Sequence, residues 1–327
     1  MAPEKTENNR HRVLITGGAG FIGSNLVSYL NRRMPSWEVA VLDDLSTGLK
    51  ENLLGSRCDF FEGSILDASL LEEAASGANS IVHLAAIGSV PKSILAPFPT
   101  HDANVTGTLK VLEVARTMNI PQVVVASSSA VYGSNPTLPK RESDWVRPMS
   151  PYGVSKLATE SYALAYSYSF GLQTLALRFF NVYGPRQRSD HDYAAVIPKF
   201  LSASLQNQTI VIDGDGTQSR DFTFVGSVCT ALVEALKAKL HSQSPINLAF
   251  GTNTTINDLV KVIERLSSQA VKVEFANPRV GDVLASRADP RRMRELFPDL
   301  KPVPLEEGVQ ETLEWLKGNL SSPTDLD

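Results

Sequence analysis

The sequence predicts an α/β fold, a parallel and doubly wound sheet with helices on its faces, followed by a smaller C-terminal lobe. Strand-like and helix-like segments alternate through the first half of the 327 residues, which is the pattern of successive βαβ units. The strand-like runs are short and continuously apolar, as strands buried on both faces are. The alternation ends after Arg178, and the segment Asn181–Asp190 (NVYGPRQRSD) is rich in glycine, proline and charge.

The elements follow in order along the chain. The expected strands of the first half are Arg12–Thr16, Glu38–Asp43, Asp59–Phe61, Ser80–Leu84, Gln122–Ala126 and Gln173–Arg178. The expected helices between them are Gly20–Arg33, Asp67–Ser76, Asp102–Met118 and Tyr152–Phe170. The second half contains a strand at Thr209–Ile212 and helices at Ala195–Ser204, Ser227–Leu240, Thr255–Ser268 and Leu305–Lys317. We expect a first domain over residues 1–182, a smaller lobe over 183–317 whose chain partly returns to the first domain, and a tail over 318–327.

Composition excludes several classes of partner. The formal charge of −4 and the pI near 5.8 leave no basic excess for a nucleic-acid backbone. No apolar run reaches the roughly 20 residues that a membrane helix needs, and the polar N-terminus is unlike a secretory signal. Cys58 and Cys229 have neither metal-ligand spacing nor a disulfide pattern, so we expect a cytoplasmic protein without a metal site.

A glycine-rich turn joins the first expected strand to the first expected helix. In VLITGGAGFIGSNLV, Gly18, Gly20 and Gly23 match G-x-G-x-x-G, and Gly17 opens a second version of the pattern. Glycine lets the backbone approach a pyrophosphate, and the helix N-terminus offers N–H groups to the phosphates. Asp43 lies twenty residues after Gly23, where a carboxylate binds ribose hydroxyls and favours NAD over NADP. The motif predicts a Rossmann-type NAD site; the alternative is a purely structural turn.

A tyrosine and a lysine four residues apart follow a block of hydroxyls. Tyr152 and Lys156 share one face of the expected helix, and Ser150 and Pro151 suit its start. An ammonium and a positively charged nicotinamide ring near a phenol are expected to lower its pKa, so that it can take a proton from an alcohol. The block Ser127–Ser129 ends the preceding strand, where a hydroxyl can bridge the alcohol and the phenol. Either feature alone is also typical of a surface tyrosine or a serine-rich strand end.

Together, these motifs resemble those of the extended short-chain dehydrogenase/reductases and, within them, the UDP-hexose 4-epimerases. The resemblance runs from about Arg12 to Lys317. Its motifs are TGGAGFIGSNL, LDDLSTG, HLAA, NVTGTL, SSSAVYG, SPYGVSK, LRFFNVYGPRQ, AAVIPKF, GDGTQSRDFTFV and RVGDVLASRADP.

The resemblance implies a role for each matching residue. The implied catalytic residues are Ser128, Tyr152 and Lys156. The implied NAD-binding residues are Gly17, Gly20, Phe21, Ile22, Asp43, Asp44, Ser46, Gly48, Ser64, Ile65, Ala85, Ala86, Asn104, Tyr152 and Lys156. The implied substrate-binding residues are Ser129, Asn181, Val196, Arg220, Arg279, Asp282 and Ser286.

Two departures from the family pattern bear on specificity. Ser64 stands where the family usually has an aspartate for the adenine, which puts that contact in doubt. The segment Ala85–Ser93 (AAIGSVPKS) is shorter than in galactose-type epimerases and lacks their lysine. That segment, LPKRE (Leu138–Glu142) and DYAAVIPKF are similar instead to the epimerases of 2-acetamido sugars, the UDP-N-acetylglucosamine 4-epimerase subgroup.

The resemblance implies C4 epimerisation of a UDP-hexose through a 4-keto intermediate, with UDP-GlcNAc/UDP-GalNAc expected before UDP-Glc/UDP-Gal. Ala130 replaces the acidic residue of the related dehydratases and decarboxylases, and Ser286 leaves room at the sugar C2 substituent. The alternatives are a UDP-glucuronate 4-epimerase, another nucleotide-sugar enzyme of this fold (a dehydratase or reductase) and a non-catalytic NAD-binding scaffold. The helices at Asp102–Met118 and Tyr152–Phe170 resemble those of a four-helix homodimer interface.

Overall fold

A seven-stranded, wholly parallel sheet forms the centre of the molecule. The computed structural model describes residues 11–189, 194–268, 270–277 and 284–320. The strands of this sheet are β1 (Arg12–Thr16), β2 (Glu38–Asp43), β3 (Asp59–Glu62), β4 (Ser80–His83), β5 (Gln122–Ser128), β6 (Gln173–Phe179) and β11 (Ile246–Leu248). Their spatial order is β11-β6-β5-β4-β1-β2-β3, which confirms the predicted doubly wound fold.

The order of the strands locates a crevice. From β1 the chain builds outward through β2 and β3, and it then returns to place β4 on the other side of β1. This reversal is the topological switch point, and ligands of such sheets bind there, outside the carboxyl ends of the strands. Thr16 and His83 end β1 and β4 at this point and are paired in register.

Helices cover both faces of the sheet. They are α1 (Phe21–Arg33), α2 (Ala68–Ala75), α3 (Val90–Leu95), α4 (Pro97–His101), α5 (Gly107–Thr117), α6 (Pro151–Phe170), α7 (Val196–Leu205), α8 (Val225–Lys237), α9 (Ile256–Ser267), α10 (Arg291–Leu296) and α11 (Leu305–Leu320). One buried cluster joins α2, α5 and α6 to the sheet, with Leu71, Leu112 and Ala163 fully buried. A second cluster joins α1 and α8 to the opposite face and continues into α7, α9 and α11.

The second half of the chain forms three small sheets beside the carboxyl edge of the large one. The strands are β7 (Val182–Tyr183), β8 (Ile210–Asp213), β9 (Ser219–Arg220), β10 (Thr223–Phe224), β12 (Thr254–Thr255), β13 (Val273–Ala276) and β14 (Ala285–Ser286). β10 pairs with β7, β13 pairs with β8, and β9 lies between β12 and β14. The chain returns to the large sheet at β11, which pairs with β6.

The structure differs from the sequence-based expectation at several elements: the short strands β7, β9, β10, β12, β13 and β14 and the helix α10 were not predicted. The helix expected at Asp102–Met118 begins with a π-helical turn over Asp102–Thr106 before α5. The short helices α3 and α4 follow β4, in a segment whose prolines and small residues carry no helical periodicity. β11 has only three residues, too few for a periodic pattern, so pairing with β6 is what defines it.

Across the described ranges, no helix has the length and apolar character to cross a membrane, and no three metal-ligating side chains cluster.

Candidate active site

The glycine turn packs directly against the end of β4. Gly17 has a φ of +73°, and a Cβ on it would lie 2.6 Å from the backbone N of Ala85. A Cβ on Gly23 would lie 2.2 Å from the carbonyl oxygen of Gly17, so the first turn of α1 also requires glycine. Within the described chain, no side chain caps the N-terminus at Phe21 and Ile22. The turn is therefore a close-packed loop that leads into a helix whose first N–H groups have no side-chain cap, and such a loop fits a pyrophosphate.

Asp43 holds this loop in place from the end of β2. Its Oδ2 accepts from Ala19 N at 2.8 Å, and its Oδ1 accepts from Leu45 N at 2.9 Å. The carboxyl is only 7% exposed, and burial raises its pKa above the usual range against these hydrogen bonds. Each oxygen keeps a lone pair for a ribose hydroxyl. The sequence predicted that Asp43 contacts the ribose. Its hydrogen bond to the glycine turn is a further role.

The loop after β2 lies beside the glycine turn. A Cβ on Gly48 would lie 2.8 Å from the carbonyl carbon of Ala19, so this glycine also permits a close approach. Asp44 and Ser46 are exposed and bonded to each other at 2.5 Å between Oδ1 and Oγ. Their predicted contacts with NAD stay predictions.

The loop after β3 contains the two predicted cofactor residues Ser64 and Ile65. Ser64 Oγ accepts from Leu66 N at 3.2 Å, so its hydroxyl shapes its own turn. Ile65 is buried against the start of α5, where a Cβ on Gly107 would lie 2.4 Å from its Cδ1. The side chain of Ile65 therefore belongs to the core, and its backbone is what remains for a cofactor.

Asn104 ties the segment after β4 to the helix α6. Its Oδ1 accepts from Ile87 N at 2.8 Å, and its Nδ2 donates to Ile87 O at 3.2 Å and to Ser155 Oγ at 2.8 Å. The residue is 1% exposed and lies in the π-helical turn, a distortion that often marks functional sites. Asn104 therefore supports the half-buried Ala85 and Ala86, which were predicted to line the cofactor crevice.

A buried histidine that the sequence analysis did not single out connects β1, β4 and α5. His83 Nδ1 lies 2.7 Å from Thr16 Oγ1, and His83 Nε2 lies 3.0 Å from Thr108 Oγ1. Thr108 donates to Asn104 O, so its oxygen accepts from Nε2, and Nδ1 must be the acceptor from Thr16. Burial, with a contribution from Lys156, lowers the pKa of His83 to about 3. The neutral imidazole thus holds the strand ends beneath the crevice.

The three serines after β5 have separate roles. Ser127 is buried and donates to Glu160 Oε2 at 2.7 Å, away from the crevice. Ser128 Oγ accepts from Ala130 N at 3.2 Å. The same hydroxyl acts on the Tyr152 phenol, where it lowers the pKa against the effect of burial. Ser129 is half-buried in the following 3₁₀ turn. The structure therefore brings Ser128 to Tyr152 and directs Ser127 into the core.

Tyr152 and Lys156 lie on one face of α6, and burial shifts the pKa of each side chain. Lys156 is 5% exposed and donates from Nζ to Ala126 O at 2.9 Å, and burial lowers its pKa to about 8. Burial raises the pKa of Tyr152, and the Ser128 hydrogen bond opposes that rise. In the polypeptide alone, desolvation of the phenolate outweighs the favourable contact with Ser128. The lowering expected from Lys156 together with the nicotinamide ring stays a prediction.

The helix α6 is anchored to the sheet by a buried ion pair. Glu160 accepts from Arg178 at 2.7 Å (Oε1, Nη2) and at 3.0 Å (Oε2, Nε), and both residues are at most 3% exposed. The Arg178 guanidinium also lies over the Tyr132 ring, 4.7 Å from its centroid. Glu160 follows Lys156 by one helical turn, so this pair determines how α6 faces β5 and β6.

Of the predicted substrate residues, Val196, Arg220 and Ser286 lie in elements of the second half of the chain. Arg220 and Ser286 are paired in register in the parallel strands β9 and β14, so their side chains leave the same face of the small sheet. Asn181 is half-buried and donates from Nδ2 to Asp221 O at 3.1 Å, and Val196 is the first residue of α7. Arg279, Asp282 and the start of the DYAAVIPKF motif lie outside the described residues.

Asp221 joins the segments that carry these residues, and sequence reasoning missed it. The carboxylate is fully buried and accepts from Gly251 N, Ala288 N, Thr252 N and Thr252 Oγ1 over 2.8–3.1 Å. Its own N–H donates to Ser286 O at 2.8 Å. The signal was a lone charge in an otherwise apolar stretch after Arg220.

The fold and this arrangement define an NAD-dependent enzyme of the extended short-chain dehydrogenase/reductase class, because a dinucleotide turn after β1 is combined with Ser128 at the end of β5 and with Tyr152 and Lys156 in α6. Residues 13–249 match the NAD dependent epimerase/dehydratase family. The chain belongs to this family.

Individual relatives cover nearly the whole chain. A putative UDP-glucose 4-epimerase of Methanocaldococcus jannaschii is 36% identical over 310 residues, which are 94% of this chain and 99% of the relative. The structure of a UDP-N-acetylglucosamine 4-epimerase from Methanobrevibacter ruminantium in complex with UDP-N-acetylmuramic acid has a TM-score of 0.89 at 37% identity, covering 95% and 99% of the two chains. A Thermus thermophilus UDP-glucose 4-epimerase in complex with NAD has a TM-score of 0.85 at 34% identity, covering 94% and 99%.

Proposed function

We propose that this protein interconverts the C4 epimers of a UDP-hexose, with UDP-GlcNAc and UDP-GalNAc as the principal pair and UDP-Glc and UDP-Gal as a second pair. The observation that carries the proposal is Ala130, two residues after Ser128 in the 3₁₀ turn that follows β5, where Ala130 N donates to Ser128 Oγ. The related dehydratases and decarboxylases have an acidic residue at that position. A methyl group cannot transfer the second proton of an elimination, so the site supports acid–base work at one carbon.

The chain's own residues handle the proton of the sugar hydroxyl. Tyr152 takes it as the phenolate, and the Ser128 hydroxyl, which favours that phenolate, orients the sugar alcohol. Lys156 places a buried cation on the same helical face, four residues along. NAD, when bound, accepts the hydrogen of the sugar carbon with its electron pair and returns it. Because Tyr152 then returns the proton, the reaction needs no further reagent.

Substrate choice is proposed to depend on Ser286. Its pairing with Arg220 puts a small side chain and an arginine on one face of the small sheet, and the planar fork of an arginine suits phosphate oxygens. We propose that Arg220, with Asn181, Arg279 and Asp282, binds the nucleotide diphosphate, and that Ser286 leaves room for a 2-acetamido group. The Ser286 hydroxyl also suits a charged C6 group, which favours UDP-glucuronate as the second candidate.

The proposal is tested with a panel of substrates. The purified protein is incubated with UDP-GlcNAc, UDP-Glc and UDP-GlcA without added NAD, and the products are followed by NMR. We expect the 4-epimers of the first two sugars; conversion of UDP-GlcA alone would support the uronate epimerase, and an unsaturated or decarboxylated product would contradict the argument from Ala130. Tyr152→Phe should abolish every conversion, whereas a non-catalytic scaffold would lose nothing measurable.

The role of Ser286 has its own prediction. Ser286→Tyr should abolish turnover of UDP-GlcNAc and spare that of UDP-Glc, because a bulky ring would occupy the space of the acetamido group. Initial rates with both sugars, measured on one preparation, give the comparison. An equal loss on both sugars would reject the role of Ser286 in selection.

We also propose a cytoplasmic homodimer formed through a four-helix bundle. Val154, Tyr162 and Tyr168 are exposed apolar or aromatic side chains along α6, and Tyr168 is 88% exposed. Such a surface on a helix is typical of a second helical partner. The thiols of Cys58 and Cys229 are free, as in reducing compartments. Light scattering measures the mass in solution, and a monomer would contradict the proposed dimer.

A further inference from the structure

The start of α6 is completed by a residue from a different element. Pro151, the first helical residue, has no N–H to satisfy. Gly153 N donates to the capping residue Ser150 at Oγ, 3.1 Å away, and Val154 N donates to Ser150 O at 3.0 Å. The remaining donor of this first turn is the backbone N–H of Tyr152, which donates to Ser93 Oγ at 3.1 Å.

Ser93 lies in α3 and is fully buried. Its hydroxyl donates to Val90 O at 2.6 Å within its own helix, so its oxygen is oriented to accept from Tyr152. A buried hydroxyl that both donates and accepts in this way connects the turn of α3 to the start of α6. Alanine would leave the Tyr152 N–H without an acceptor, which is unfavourable for a buried backbone group.

The same segment is attached to α6 at a second point. Asn104 binds the backbone of Ile87 on one side and Ser155 Oγ on the other. The stretch between Ile87 and Ser93 is therefore held to α6 at both ends, and it begins directly after Ala85 and Ala86. The positions of the cofactor crevice and of Tyr152 are linked through these two connections.

We propose that Ser93 is a positioning residue for Tyr152: its hydroxyl sets the backbone of the first turn of α6, and thereby the distance between the phenol and Ser128. The proposal rests on the proposed role of Tyr152 as the base. A small displacement of a reacting group lowers the rate of the chemical step, whereas substrate affinity depends on contacts in the second lobe.

The test compares Ser93→Ala with Ser80→Ala. Ser80 is also fully buried, and its hydroxyl is hydrogen-bonded to His11 at 2.8 Å. It lies at the amino end of β4, whereas the candidate site lies at the carboxyl ends of the strands. With the sugar that the wild type converts, Ser93→Ala should lower kcat roughly tenfold with KM nearly unchanged. Ser80→Ala should leave both parameters close to those of the wild type.

Amide hydrogen exchange gives a readout that does not need turnover. The peptide that contains Tyr152 should exchange about tenfold faster in Ser93→Ala and at the wild-type rate in Ser80→Ala. Faster exchange with unchanged kcat would overturn the positioning role, and unchanged exchange would overturn the hydrogen bond itself. If the wild type converts no sugar, the proposed function fails, and exchange alone then decides whether Ser93 sets the start of α6.

Discussion

Loss of the buried carboxylate at Glu160 should destabilise this protein far more than loss of an exposed one. Glu160→Gln keeps the size of the side chain but leaves the Arg178 guanidinium buried without a counter-charge. Breaking one partner of such a pair costs about 3–5 kcal/mol, whereas an exposed pair contributes about 0–1 kcal/mol. Glu160 belongs to a buried pair of this costly kind, because it accepts two hydrogen bonds from Arg178 and one from Ser127.

The matched control is Glu234→Gln, which breaks the exposed pair with Lys237 on α8. The free energy of unfolding of both variants and the wild type is measured by urea denaturation at one fixed NAD concentration, because bound cofactor adds to stability. We expect Glu160→Gln to lose about 3 kcal/mol or more and Glu234→Gln less than about 1 kcal/mol. Similar losses in the two variants would refute the view that burial makes the Glu160–Arg178 pair costly to break.

Two further predictions concern the cofactor turn and the buried histidine. Gly17→Ala should weaken NAD binding at least about tenfold, measured as the NAD retained on purification and by titration, whereas Gly55→Ala should not. Gly55 has the same φ of +73°, but a Cβ added there would have nothing within 4 Å. The comparison therefore separates the overlap with Ala85 from backbone strain. Equal effects of the two substitutions on NAD binding would contradict the role of close packing at Gly17. Burial lowers the pKa of His83 from 6.5 to about 3. Between these two pH values the unfolded chain binds a proton that the folded chain does not. The free energy of unfolding should therefore fall by up to about 5 kcal/mol as the pH drops from 6.5 towards 3. In His83→Gln this fall, followed by urea unfolding across that range, should be shallower. A dependence of stability on pH equal to that of the wild type would contradict the role assigned to the buried His83.

Much of the fold could be predicted because its signals are local. β1 and β2 begin and end at the predicted residues, since each is a short apolar run bounded by polar or glycine residues. The three-residue β11 could not be predicted, because only its pairing with β6 defines it as a strand. The π-helical turn before α5 also depends on distant partners, since Asn104 is held there by Ile87 and Ser155.

The candidate site was predictable in its motifs but only partly in its contacts. The spacing of Tyr152 and Lys156 placed them on one helical face, and the structure agrees. The sequence could not show that the Tyr152 N–H needs Ser93, because the two residues are 59 positions apart. Nor could it show that Asp221 connects three segments of the second lobe, because its partners are spread from Gly251 to Ala288.

The sequence by itself determined the βαβ order, the glycine turn with Asp43 and the shared face of Tyr152 and Lys156, because helix and strand periods convert spacing directly into geometry. Only the tertiary structure decided which distant residue completes the start of α6, which side chains serve the core instead of the crevice, and in which direction burial moves each pKa. These outcomes depend on what surrounds a group in space, and neighbours from distant parts of the chain provide both the hydrogen bonds and the exclusion of water.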